Sequence, residues 1–284
     1  MTNSPQPTVA GSAVPMIAIK DMWKRYGRLD VLKGIDMEKV LTFKQGIIDR
    51  NYKGLQGLVK ARNIDYIAGE GRLVSEDSLE VTNDEGTLTV TGKHIVLATG
   101  STSKTIGIDV RDRVMTREQA LHYDAVPESA VVLGGGVIGV EFASVWASFG
   151  SKVTIVEGLP HLVANEDEAI SKALEKAFKK RKIGYQVGVK FESVEQDDSG
   201  VHVTLEDGTV LDAEVLLVAV GRGPVTEGFG FDDQGITLDR GFVIVDERQH
   251  TGVGKIYAVG DIVPGLQLAH RSFAQGIFVA EEIA

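Results

Sequence analysis

Three glycines and one carboxylate carry the chemistry most legible in this sequence. The apolar run Val131–Leu133 reads as a strand, and Gly134-x-Gly136-x-x-Gly139 follows it directly, where a helix opens. The spacing has a physical reason. Gly134 allows a tight turn, Gly136 lets backbone approach a pyrophosphate, and Gly139 lets helix and strand pack closely. The first N–H groups of the helix and the positive end of its dipole then face the phosphates. Val137 and Ile138 complete the loop, and Ala143 and Ala147 continue a small-residue stripe that brings the helix onto a sheet. Gly150 ends that helix, Val153–Val156 forms the next strand, and Glu157 stands at its end. An acidic side chain about twenty residues beyond the glycines can accept both hydroxyls of an adenosine ribose. It also repels a 2′-phosphate, and Gly158, Leu159 and Pro160 bring no arginine to receive one. NAD(H) is therefore favoured over NADP(H). The competing reading, a glycine-rich turn that binds nothing, must explain why strand, turn, helix, second strand and acid all fall in register.

Several chemistries are excluded outright. The sequence has no cysteine, so it holds no disulfide, thiolate nucleophile or zinc–thiolate site. Its net charge of −10 argues against non-specific binding to nucleic acid or to an anionic membrane, both themselves negative. No apolar run approaches membrane-spanning length, and no basic region followed by an apolar core opens the chain. The cytoplasm is the expected compartment. His94, His122, His161, His202 and His250 show no ligand spacing and read as surface residues, so no metal site is expected.

The elements that must position these residues can be read from periodicity and turn chemistry. Residues 1–15 are polar and proline-bearing, as in a disordered leader. Residues 16–37 suggest a strand, a turn at Tyr26-Gly27 and a second short strand. A helix is predicted from about Glu38 to Arg62. Short alternating segments follow at Tyr66–Ala68, Leu79–Thr82, Leu88–Thr91 and His94–Ala98, with Asn83-Asp84-Glu85-Gly86 as a turn, and these predict a small β-meander. Thr116 and Gln119 form a capping box for a short helix. From Ala130 the order strand, helix, strand, helix, strand is that of a parallel sheet. The second helix places Ile170, Ala173, Leu174, Ala177 and Phe178 on one face, with Gly184 suited to its C′ position. Further strands turn at 197–200 and 206–208 and end in the apolar run Val215–Val220.

Four stretches carry a family resemblance. They are HIVLATGS (His94–Ser101), GGGVIGVEFAS, AVGRGPVTEGFG (Ala219–Gly230) and TGVGKIYAVGDIVPGLQLAHRSFAQGIFVAEEIA (Thr251–Ala284). Through them the chain, from about Asp36 to its end, resembles the dihydrolipoamide dehydrogenases, flavoproteins of the pyridine nucleotide–disulfide oxidoreductase family. The resemblance implies an α/β fold in which a Rossmann-like NAD-binding domain, residues 117–245, is inserted in an FAD-binding domain, residues 37–116 and 246–284. It implies both NAD and FAD as cofactors. Gly134, Gly136, Val137, Ile138 and Gly139 would line the NAD pyrophosphate, Glu157 its ribose, and Phe191 and Gly221 would flank the same cofactor. Asp261 would bind the ribityl chain of FAD. Leu268, Ala269 and His270 would begin a helix facing the flavin, and Gly71 would lie against it. Glu141 would sit near the flavin–nicotinamide junction, where the family supplies a lysine partner that this sequence lacks.

Family parts are also missing. No glycine fingerprint precedes Gly134, no Cys-x-x-x-x-Cys pair occurs, and the C-terminal interface domain with its His-Glu base does not follow. The resemblance therefore implies an incomplete FAD domain, a family homodimer contact that is mostly absent, and no catalytic residue for thiol chemistry. Residues 16–37 instead resemble the opening of an ABC-transporter ATPase, with Tyr26 where that family stacks adenine, but no GxxxxGK[ST] follows. Three expectations stand side by side: a part of a flavoprotein disulfide reductase, a nucleotide-binding module without turnover, and a non-functional fusion.

Overall fold

The structure is a computed structural model; it describes residues 34–284 and, as backbone only, 23–26 and 29–32. The leader and, of the segment likened to an ABC ATPase, residues 16–22, Gly27, Arg28 and Lys33 lie outside the described residues. Where that segment is described, β1 (Trp23–Tyr26) and β2 (Leu29–Leu32) pair antiparallel. The long helix α1 (Met37–Ala61) follows, capped by Asp36, whose side chain accepts from Lys39 N.

Strands β3 (Glu70–Leu73), β4 (Ser78–Asn83) and β5 (Gly86–Thr91) form an antiparallel meander. Next come β6 (Ile95–Leu97), β7 (Ser101–Ser103), β8 (Val114–Thr116) and the short helix α2 (Arg117–Ala120). The predicted capping box of Thr116 and Gln119 is present. The central unit then runs β9 (Ser129–Leu133), α3 (Val137–Phe149), β10 (Lys152–Glu157), α4 (Glu168–Lys180) and β11 (Gly184–Val187). Three antiparallel strands follow: β12 (Phe191–Asp197), β13 (Gly200–Leu205) and β14 (Val210–Ala213). They lead into β15 (Val215–Val218). The chain closes with β16 (Arg222–Pro224), β17 (Leu238–Asp239), β18 (Phe242–Val243), β19 (Ile256–Ala258) and α5 (Ala269–Ile283).

The main sheet is five-stranded and parallel, ordered β11-β10-β9-β15-β8. Its central strands are buried on both faces, which is why β9 and β15 are almost continuously apolar. Side chains alternate between the two faces of a strand, and the core divides accordingly. Ala130, Val132, Val215 and Leu217 pack against Ala143 and Trp146 of α3 and Phe178 of α4. Val131, Leu133, Leu216 and Val218 face the other way, onto Val201, Val203 and Leu205 of β13. A second core joins Leu73, Ile95, Leu97, Ile256, Ala258 and Ile262 beneath the parallel pair β6–β19. The architecture is thus mixed α/β, one large parallel sheet with small antiparallel ones, as the resemblance implies.

Four local expectations need correction. Tyr66–Ala68 is not a strand; the meander starts at Glu70, because β3 supplies the partner register for β4. His94–Ala98 does not belong to the meander, since β6 pairs with the distant β19. Gly184 does not terminate α4; Lys182 takes the left-handed position at φ 61°, and Gly184 opens β11 packed against Thr154. The buried face of α4 is also shifted: Ile170 is 59% exposed, whereas Ser171 is buried and gives its hydroxyl to Val163 O.

That shift gives a testable contrast. Phe178→Ala should cost about 3–5 kcal/mol of unfolding free energy, the usual range for a buried aromatic. Ile170→Ala should change stability by no more than about 0.5 kcal/mol, as expected of an exposed site. Urea unfolding of the two variants checks both.

Candidate functional site

The carboxyl ends of β9, β10 and β15 meet at one edge of the parallel sheet, where strand order reverses about β9. Open α/β sheets bind ligands at this crevice. The glycine loop lies there. Gly134 has φ 110°, and a Cβ on it would come 2.3 Å from Ala219 O. A Cβ on Gly139 would come 1.9 Å from Gly134 O, so the helix sits directly on the turn that precedes it. Gly136 caps α3 with no side-chain hydrogen bond, and a Cβ there would meet nothing within 4 Å. The three glycines thus divide as their spacing implies: two are demanded by packing, and one leaves backbone open. Val137 is exposed and Ile138 half-buried beside it.

Glu157 closes the loop from below. Its Oε2 accepts from Gly135 N at 2.6 Å and its Oε1 from Leu159 N at 2.8 Å. The carboxylate is therefore fixed in rotamer and position, with a lone pair on each oxygen left to accept a ligand hydroxyl. Gly135 was not singled out by sequence, yet it is as constrained as the others. A Cβ on it would lie 2.6 Å from Leu162 and 3.0 Å from Glu157, and its carbonyl accepts from Val163 N at 2.8 Å. The signal available was the middle glycine of the Gly134-Gly135-Gly136 run. Val163 itself holds φ 46°, a conformation a β-branched residue rarely adopts.

Two further residues join this edge. Gly221, at φ 113°, follows Ala219, whose N–H donates to Leu133 O at 2.7 Å. Phe191 opens β12, two residues after Val189, whose N–H donates to Glu157 O. Glu141 is exposed on α3 and makes no hydrogen bond or ion pair among the described residues.

A second group assembles around β6 and β19, apart from the glycine loop. Asp261 lies in a single 3₁₀ turn after β19. Its main-chain carbonyl accepts from Gln267 Nε2 at 3.2 Å, and the neighbouring Gly260 N donates to Gln275 of α5. Leu268 is the N-cap residue of α5 and provides no side-chain cap, so the first N–H groups at Ala269 and His270 point out of a 15-residue helix unsatisfied by it. Both residues are exposed. Gly71 is in β3, two residues before Leu73 of the same core, and a Cβ on it would meet open space. These features fit a flavin's ribityl chain and the electron-rich edge of its ring, because a carboxylate can take the hydroxyls and a helix N-terminus favours negative charge. The expectation for the histidines needs one correction: Nδ1 of His94 is buried without a hydrogen-bond partner.

A polar network that sequence reasoning missed joins the two groups. Arg222 Nε donates to Ser101 Oγ at 2.7 Å, Ser101 Oγ donates to Asp261 Oδ2 at 2.5 Å, and Arg222 Nη1 reaches Glu118 Oε1 at 3.3 Å. Ser103 and Thr116 hydroxyls also donate to Glu118, at 2.8 and 2.7 Å. Partial burial would raise the Glu118 carboxyl, but the hydrogen bonds from Thr116, Ser103 and Arg117 outweigh it and hold the group down at about 2. By contrast, a cavity of about 730 Å³ lined by Arg113, Glu128, Ser129, His202, Asp212 and Glu214 opens at the amino end of β9, away from the glycine loop.

An edge of this kind, with a glycine turn, an open helix N-terminus and a fixed acid, has the form in which open α/β sheets bind dinucleotides. Comparison with known proteins narrows the class. Residues 10–276 match the family described as pyridine nucleotide-disulphide oxidoreductase, and the chain belongs to that family. It is 35% identical over 259 residues to leghemoglobin reductase of Vigna unguiculata, covering 88% of this chain and 50% of that protein. It is 34% identical over 255 residues to dihydrolipoyl dehydrogenase of Geobacillus stearothermophilus, covering 88% and 54%. Among solved structures, LpdA of Mycobacterium tuberculosis superposes with a TM-score of 0.83 at 26% identity over 89% of this chain and 57% of that one. The HOCl-induced flavoprotein disulfide reductase RclA of Escherichia coli gives 0.79 at 29% identity over 87% and 57%. The chain thus spans about half the length of the relatives it matches. Among the described residues no helix is long and apolar enough to cross a membrane.

Two predictions follow from the geometry. Gly139→Ala should destabilise the fold by about 3 kcal/mol, the upper range for an overpacked site. Gly136→Ala should stay within about 0.5 kcal/mol, as at an open surface position; thermal unfolding separates the two. The second concerns acid. Because the Glu118 carboxyl lies below its ordinary value in the fold, its stabilising contribution is present above about pH 4.5 and is lost as pH falls through about 2. Melting temperatures of the wild type and Glu118→Gln should therefore differ at pH 7 and converge between pH 4.5 and 2.

Proposed function

We propose that this chain is the NAD(H)-binding part of a flavoprotein disulfide oxidoreductase of dihydrolipoyl dehydrogenase type. The observation that carries the reading is the joint geometry of Gly136 and Glu157: open backbone at a helix N-terminus, beside a carboxylate already fixed by two N–H groups. In this reading the N–H groups at the start of α3 bind the dinucleotide pyrophosphate, with Gly134, Gly139, Val137 and Ile138 shaping the loop. Glu157 accepts the two adenosine-ribose hydroxyls and disfavours a 2′-phosphate. Phe191 and Gly221 flank the same cofactor. Residues 117–245 are the nucleotide-binding unit.

The same reading assigns the second group to FAD. A bound flavin supplies two-electron transfer between nicotinamide and disulfide. Asp261 accepts ribityl hydroxyls, the N–H groups at Ala269 and His270 face the ring's electron-rich edge, and Gly71 lies against the cofactor. The family reaction oxidises dihydrolipoamide with NAD to lipoamide and NADH. This sequence supplies no cysteine for the thiol step, and that single fact favours a second reading, a module that binds NAD(H) without turnover.

Calorimetric titration with NADH, and with NADPH as control, tests the proposal. NADH should bind saturably and NADPH should not. Glu157→Gln should weaken NADH about tenfold, the equivalent of one charged hydrogen bond, and should narrow the gap to NADPH. Gly136→Ala should weaken NADH by a similar factor without loss of stability, because its methyl occupies the approach of the phosphates. A flavin absorbance band in the purified chain would favour the flavoprotein reading over the module. Binding of neither nucleotide would overturn both.

A further inference from the structure

Ser101 is the middle of a short relay whose direction is fixed by proton counting. A serine hydroxyl has one hydrogen to give and lone pairs with which to accept. Arg222 can only donate, and it donates to Ser101 Oγ through Nε at 2.7 Å. The Ser101 proton is therefore free to go elsewhere, and it lies along the 2.5 Å contact to Asp261 Oδ2. Asp261 must then be the acceptor, and its Oδ1 makes no hydrogen bond among the described residues. Arg222 is itself held on three sides. Its Nη2 donates to the main-chain carbonyl of Ser101, its Nη1 meets Glu118, and β16 pairs with β7 so that Pro224 lies opposite Ser101. The guanidinium is largely buried, with 14% of its side chain exposed.

We propose that Arg222 is a positioning residue for flavin binding: by gripping Ser101 it directs that hydroxyl onto Asp261, so that Asp261 presents one fixed, unshared oxygen to the hydroxyls of the flavin side chain. This deepens the reading above and rests on Asp261 being a flavin contact. The chemical requirement is specific. A polyol chain that donates hydrogen bonds needs an acceptor held in one rotamer, and a carboxylate with both oxygens free to rotate gives a weaker site. Arg222 acts through another residue and does not itself touch the ligand. The relay also starts from Glu118, on the element that follows β8 of the parallel sheet, so the nicotinamide-binding unit and the Asp261 turn share one chain of hydrogen bonds.

The test is titration of the full chain with FAD, followed by quenching of flavin fluorescence, for the wild type, Ser101→Ala, Arg222→Met, Arg222→Lys and the double variant Ser101→Ala/Arg222→Met. Each melting temperature is measured alongside. Ser101→Ala and Arg222→Met should each weaken FAD about tenfold, and the double variant should be no weaker than either single, because both break one relay. Arg222→Lys, with a single point of donation, should recover part of the affinity. A merely structural role would give losses that add in the double variant and no recovery in Arg222→Lys. FAD affinity unchanged in Ser101→Ala and Arg222→Met, with a wild type that binds, would overturn the proposal and leave the proposed function standing. A wild type that does not bind FAD would remove the flavin reading and this proposal together. If Arg222→Met does not fold, Ser101→Ala alone decides.

Discussion

Everything at the candidate site depends on how closely α3 approaches the turn that precedes it. A Cβ on Gly139 would stand 1.9 Å from Gly134 O, inside any permitted contact. Only glycine at both positions lets the helix begin directly over the carboxyl edge of β9. From that approach follow the exposed N–H groups of the first turn, the alignment of the helix axis with the crevice, and the reach of Glu157 to Gly135. A helix set back by the width of a methyl group would hold its first N–H groups farther from the crevice. The contact contributes no interaction of its own; it removes a steric obstacle, and the rest of the edge is arranged around the space this leaves.

The parallel sheet was legible because its signals are local. Val131–Leu133, the glycines, Ala143 and Glu157 all lie within one βαβ unit, where period, turn chemistry and the terminal acid each constrain the same few residues. Turns at Gly200 and Gly208 were equally readable, since φ values of 147° and 82° there suit glycine. What could not be read was pairing across long separations. β6 was grouped with its sequence neighbours in the meander, yet its partner is β19. The Ser101–Asp261–Arg222–Glu118 network was invisible for the same reason: each residue is ordinary in its own segment, and the chemistry exists only once four segments converge. The shift of Ser171 into the core of α4, in place of Ile170, reflects a tertiary choice, since the serine hydroxyl finds Val163 O and so is buried at little cost.

The two groups of functional residues differ in how they are supported. Glu157 is held by backbone N–H groups of its own unit, so its geometry survives in any context where β9, α3 and β10 fold. Asp261 is held by a side chain from β7, which is held in turn by one from β16. That arrangement ties the Asp261 turn to β7 and β16 through side chains as well as through the backbone pairing of those two strands. A surface ion pair in that place would contribute little; a largely buried guanidinium bonded to both Ser101 and Glu118 fixes a relative orientation.

The pairing of β6 with β19 has a consequence for the order of events during synthesis. The two strands are about 160 residues apart, and closing so long a flexible loop carries a large entropic cost before any contact rewards it. The intervening segment includes the parallel sheet β9–β10–β11–β15, whose contacts are comparatively local. Once that sheet forms, it shortens the effective loop to the distance between Ser101 and Arg222, which β7 and β16 then join. On a ribosome every strand of the parallel sheet is synthesised before β19 and α5. The core around Ile95 and Ile256 therefore cannot close until β19 is available to pair with β6.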